Sequence, residues 1–80
     1  MQQLDDRILE HLAEEPWSSP TVMAAHPDFR ASRGRLAERC AVLASVELVA
    51  PIGERTVEIT QWGRLYLEGD LDAATLSPTR

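Results

Sequence analysis

The stretch Arg30–Val46, RASRGRLAERCAVLASV, reads as one amphipathic helix. With Ser32 as N-cap and a step of about 100° per residue, Leu36, Cys40 and Leu43 stack on one face, at i, i+4 and i+7. Gly34, Arg35, Glu38, Val42 and Ser45 fall on the opposite face, and Arg33 and Arg39 lie on the flanks. Arg30, Arg33, Arg35 and Arg39 stand against Glu38 alone, so this segment is basic in a chain whose net charge is −5. Arg33 and Arg35 sit in the first turn, where the helix dipole disfavours cations by a few tenths of a kcal/mol. Arginines placed against the interest of their own helix point to an outside partner. Phosphate oxygens and guanine edges suit a guanidinium.

Upstream, Gln2–Glu15 predicts a helix, with Leu4, Ile8 and Leu12 in one stripe and Leu9 broadening it. Asp5 and Asp6 fall in its first turn and favour the dipole, and Pro16 stops it. His11 lies at the edge of the stripe, as a core-edge residue rather than a ligand. Trp17-Ser18 is a short extended connection. Ser19-Pro20 then starts a brief second helix to Ala25, with Met23 and Ala24 facing inward. His26 reads as a solvated loop residue, and Phe29 as the plug of the turn before the basic helix. Cys40 reads as a small buried hydrophobe.

Downstream, Leu48–Ile52 reads as a strand in which Pro51 demands an edge or a strand end. Gly53-Glu54-Arg55 is a turn. Thr56–Thr60 alternates, with Val57 and Ile59 on the buried face, so the two strands make a hairpin. Thr60 caps a last helix, Gln61–Glu68, with Gly69 as its C-cap. Gly63 inside that helix predicts close approach to a neighbouring backbone. Glu47 stands where a left-handed cap wants Gly, so either the cap differs or Glu47 is strained by about 1 kcal/mol. Residues 1–70 are expected to form one domain, and residues 71–80 a disordered tail.

Composition narrows the function. Eighty residues make one small domain, stable alone only marginally unless it dimerises. A single cysteine excludes an intrachain disulfide framework and a multi-cysteine metal site. No apolar run approaches a membrane span, and no signal peptide is apparent, so a cytoplasmic protein is expected. All eight basic residues are Arg against thirteen acidic ones. An acidic, Lys-free surface suits concentrated salt and hence a halophilic host; an ordinary acidic domain from a GC-rich genome is the alternative. Two scattered histidines, and no Gly-rich phosphate loop or metal-ligand cluster, argue against an enzyme or a cofactor, and eighty residues leave little room for a small-molecule pocket once the core is filled.

The element order is helix, helix, helix, hairpin, helix. That is the α+β layout of a winged helix-turn-helix: three helices, a two-stranded β-hairpin wing and a C-terminal helix. In it the third helix enters the major groove and the wing lies on the backbone or in the minor groove. The segments DDRILEHL (Asp5–Leu12), SPTVMA (Ser19–Ala24), SRGRLAERCAVLAS (Ser32–Ser45), LVAPIG (Leu48–Gly53) and ITQWGRLYLEGDLD (Ile59–Asp72) carry a resemblance over nearly the whole chain. The chain resembles the small archaeal winged-helix proteins related to the repressor of the halobacterial phage phi-H. The resemblance implies a DNA-binding transcriptional regulator, repressor-like and dimeric. Carried over, it puts Arg33 and Arg35 at the DNA, whereas relatives tend to carry Arg or Lys where this chain has Glu38, Ala41 and Val42.

The residues expected at double-stranded DNA are Arg30, Ser32, Arg33, Gly34, Arg35, Glu38, Arg39 and Arg55. Arg33 and Arg35 take base edges, and Arg39, Arg30 and Arg55 take phosphates. Gly34 allows close approach, and Glu38 either accepts from a cytosine amino group or pairs with Arg35. Ala41 and Val42, on the exposed face, suit thymine methyls or a protein interface. Trp62, Tyr66 and the flank of helix 1 are the expected dimer contact. The alternative function is a winged helix used for protein–protein assembly without DNA.

Overall fold

Apolar residues at helical spacing, punctuated by Ser-Pro and Ser caps, set the first half of the chain. The structure, a computed structural model, describes residues 3–69. The expected tail at 71–80 lies outside these residues. Three helices come first: α1 (Gln3–Glu14), α2 (Pro20–Ala25) and α3 (Arg33–Ser45). Strands β1 (Val49–Ile52) and β2 (Thr56–Ile59) and helix α4 (Gln61–Leu67) follow. The Ser19 side chain accepts from the Val22 N–H, Ser32 from the Arg35 N–H and Thr60 from the Gly63 N–H, so three of the four helices start on a hydroxyl cap.

The core forms where these elements face one another. Ile8, Leu9 and Leu12 of α1, Leu36 and Leu43 of α3, Met23 of α2 and Leu48 are fully buried. Val49, Val57 and Ile59 close the core from the hairpin. The strands run antiparallel, with Val49 opposite Ile59 and Pro51 opposite Val57. On the far side of β2, Ser18 and Val57 exchange backbone hydrogen bonds of 3.0 and 2.8 Å. The connection after α1 is therefore bridged to the two-stranded sheet at a single residue, on the free side of β2, while β1, with Pro51, keeps the other edge, which proline tolerates.

The basic helix ends in a Schellman turn. The Leu48 N–H donates to the Leu43 carbonyl and the Glu47 N–H to the Ala44 carbonyl. Glu47 occupies the left-handed position, at φ 66°, so of the two readings offered by its sequence the strained cap is the one observed. The Thr60 hydroxyl donates to the Glu47 carbonyl (2.6 Å) while it caps α4. One side chain thus joins the end of α3 to the start of α4. Gly63 meets the neighbouring backbone as expected: a Cβ there would collide with the Leu48 carbonyl oxygen.

His26 departs from its sequence reading. It is half-buried, and its ring packs edge-on to those of His11 (centroids 5.4 Å apart) and Phe29 (6.1 Å). The three rings form the plug of the turn, and the His11 Nε2 lies 3.1 Å from the Ser18 hydroxyl.

Candidate nucleic-acid interface

Because Leu36, Cys40 and Leu43 bury one face of α3, the opposite face is turned to solvent. Arg33, Gly34, Arg35, Ala37, Glu38, Ala41, Val42 and Ser45 are all exposed. The first-turn arginines leave the helix in different directions. Arg33 lines a groove of about 400 Å³ between α3 and the hairpin, together with Arg55, Ala37, Ala41 and Pro51. Arg35 lines a groove of about 510 Å³ on the side of α1, together with Arg7, Arg30 and Asp28. Helix α3 is thus bracketed by two arginine-lined grooves. The side chain that sequence reasoning missed is Arg7. It stands on α1, far from the basic stretch, and only the packing of α1 beside the loop before α3 brings it to Arg30 and Arg35.

Ser32 takes a cap role: its Oγ accepts from the Arg35 N–H at 3.2 Å. Gly34 has open space where a Cβ would stand, so no contact within the described residues requires glycine there. Arg30 and Arg55 are exposed, as is Glu38.

Arg39 is the correction. Its Nε and Nη2 donate to the two carboxylate oxygens of Asp5, each at 2.8 Å, in a bidentate pair that ties α3 to α1. The Asp5 side chain is fully buried and that of Arg39 is 13% exposed. The hydrogen bonds to Asp5 raise the Arg39 pKa against the opposing loss of hydration, so the group stays cationic. Its forked edge faces inward on a carboxylate, and the phosphate role expected of it gives way to a structural one. Asp5 correspondingly holds an arginine instead of merely favouring the dipole.

Cys40 lies beneath this face, buried as expected. Burial, and secondarily the charge of Asp5, push its thiol up to about 11, so it is a protonated packing group. On the other side of α1, the Tyr66 hydroxyl donates to Asp6 at 2.9 Å, so Tyr66 holds α4 to α1 within the chain. Trp62 is 40% exposed. Among the described residues no group of three or more His, Cys, Asp and Glu side chains could hold a metal ion, and no helix is long and apolar enough to cross a membrane.

No protein-family model matches the chain, and no curated protein matches it as a relative. Among solved structures, the chain is similar to the PhiH1 repressor-like protein from Haloarcula marismortui, at 36% identity and a TM-score of 0.88. The match covers 91% of this chain and 83% of that one. The two chains therefore share one fold over about nine-tenths of this chain, with about a third of the matched residues identical. The chain belongs to the PhiH1 repressor-like family of winged-helix proteins.

Proposed function

We propose that this protein is a sequence-specific DNA-binding transcriptional regulator of the repressor type, which sets α3 in the major groove and the hairpin on the backbone. One observation carries the reading: α3 turns an exposed face outward and has arginines in a groove on either side of it. A major groove is bordered by two phosphate strands, so a helix inserted in it needs cations on both flanks. In this arrangement Arg7 and Arg30 take phosphates on the α1 side and Arg55 takes one on the wing side. Arg33 and Arg35, on the first turn of α3, reach base edges. Gly34 lets the backbone of that turn approach the bases, and Glu38 accepts from a cytosine amino group. Ser32 caps the helix and its hydroxyl hydrogen remains to be donated to a phosphate.

The protein acts in the cytoplasm of a halophilic cell, as a homodimer on a two-fold operator. The Lys-free acidic composition and the repressor-like relative support this, and two copies of so small a domain share the contact area that one lacks. A selection from random duplex DNA with the full chain tests the reading. It should enrich a defined sequence, and Arg33→Ala should weaken binding to it by about 1–3 kcal/mol while relaxing the preference at one base pair. Equal binding to all duplexes, lost alike as salt rises, would leave only electrostatic attraction and point to the protein-assembly role.

A further inference from the structure

The middle of the α3 outward face has an unusual chemistry for a helix that reads bases. Hydrogen-bond readout of base edges relies mostly on Arg, Lys, Asn or Gln, with Glu and Asp confined to the cytosine amino group and Ser and Thr less selective. Past the first turn, the exposed positions here are Ala37, Glu38, Ala41, Val42 and Ser45. The Ser45 hydroxyl donates to the Val42 carbonyl at 2.6 Å, which turns it back onto its own helix. Ala41 and Val42 carry no hydrogen-bonding side-chain atom, and Val42 keeps 39% of its surface in solvent. Other apolar residues are exposed, among them Trp17 and Val22, but Val42 stands on the face that the two arginine grooves bracket. Ala37 and Ala41 extend that apolar surface into the wing-side groove.

Only one feature of the major-groove edge matches such a surface: the C5-methyl group of thymine, which is recognised by apolar contact. Salt gives a second reason. Phosphate contacts lose affinity steeply as salt rises, because the counterions they release enter a concentrated bath, whereas apolar burial does not weaken in this way. Resting on the DNA-binding reading above, we infer that Ala41 and Val42, with Ala37 beside them, form a methyl-reading patch that selects thymine in the operator. The arginines of the first turn then read one end of the half-site by hydrogen bonds, and the later turns read the adjoining thymine by contact.

The test uses the full chain and the duplex enriched by selection from random DNA. Each thymine is replaced in turn by deoxyuridine, which keeps every hydrogen-bonding group and removes only the methyl. At one or more positions the affinity should fall about fourfold, the effect of one buried methyl. Replacing the same T·A pair by 5-methylcytosine·G should bind more tightly than unmethylated C·G. Val42→Ser, an exposed substitution whose folding is checked by its melting curve, should bind the thymidine and deoxyuridine duplexes alike. If the wild-type protein binds every deoxyuridine duplex as tightly as its thymidine parent, the methyl patch is overturned while the DNA-binding reading stands. If no duplex is enriched, both fall. If Val42→Ser dissociates a dimer in sedimentation but keeps the preference for thymidine, the patch is a protein interface and the inference fails.

Discussion

Glu47 holds a conformation that glycine would adopt without penalty. Replacing it by Gly removes a left-handed strain of about 1 kcal/mol and adds some unfolded-state entropy. Glu47→Gly should therefore raise the urea midpoint modestly, and a fall would show that its side chain contributes more than the strain. Gly34 is the converse case: nothing in the described residues crowds it, yet glycine weakens a helix by about 0.5–1 kcal/mol relative to alanine. Gly34→Ala should stabilise the fold by that amount and weaken DNA binding, because the added methyl stands where the bases approach. A variant that is both more stable and fully active would contradict the close approach.

Cys40 makes a third prediction at this scale. Its native pKa of about 11 exceeds the ordinary 9.0, so the folded state retains the thiol proton that the unfolded chain releases. Its contribution is complete below pH 9 and is lost as the pH rises from there to about 11. A thiol reagent at pH 8 should accordingly react slowly with the native protein and at once in urea, and immediate native labelling would contradict the burial. These residues were legible to different degrees. Cys40 and Gly63 followed from spacing and from glycine inside a helix. Arg39 did not, because its partner Asp5 lies 34 positions away and each residue had a sufficient local explanation of its own.

At the scale of the element, α3 was legible nearly whole. Its cap and its buried stripe follow from the Ser32 signal and the 3.6-residue period, and its end at Ser45 lies within one residue of the stretch read to Val46. The bridge at Ser18 was not, since one residue carries no alternation and its pairing with Val57 reaches across α2, α3 and β1. Helix α3 is held in place by hydrogen-bonded contacts beyond its core face. The Asp5–Arg39 pair fastens it to α1, and the Thr60 hydroxyl fastens its C-terminal turn to α4. Arg39→Ala should leave the Asp5 carboxylate buried without its cation and lower the melting temperature by several degrees, whereas Arg33→Ala should leave it nearly unchanged. If both variants melt together at the wild-type temperature, the pair does not anchor the helix.

At the scale of the whole molecule, charge is organised around α3. The chain is acidic, but the grooves on the two sides of α3 gather Arg7, Arg30 and Arg35 on one side and Arg33 and Arg55 on the other. Four of these five arginines are named by the sequence pattern; Arg7 required the packing of α1. The consequence is a division of labour in salt. Arg7→Ala should weaken binding about equally on every sequence and lower the slope of log affinity against log salt by about one unit. Arg33→Ala should instead erase a base preference.

The most direct measurement is fluorescence anisotropy of the full chain on DNA from its own upstream region and on a scrambled duplex, from about 0.2 to about 2 M KCl, with Arg33→Ala alongside. Binding that prefers the upstream duplex, persists at high salt and loses its preference in Arg33→Ala is the predicted result. Equal binding to both duplexes that vanishes with salt would contradict base reading by α3.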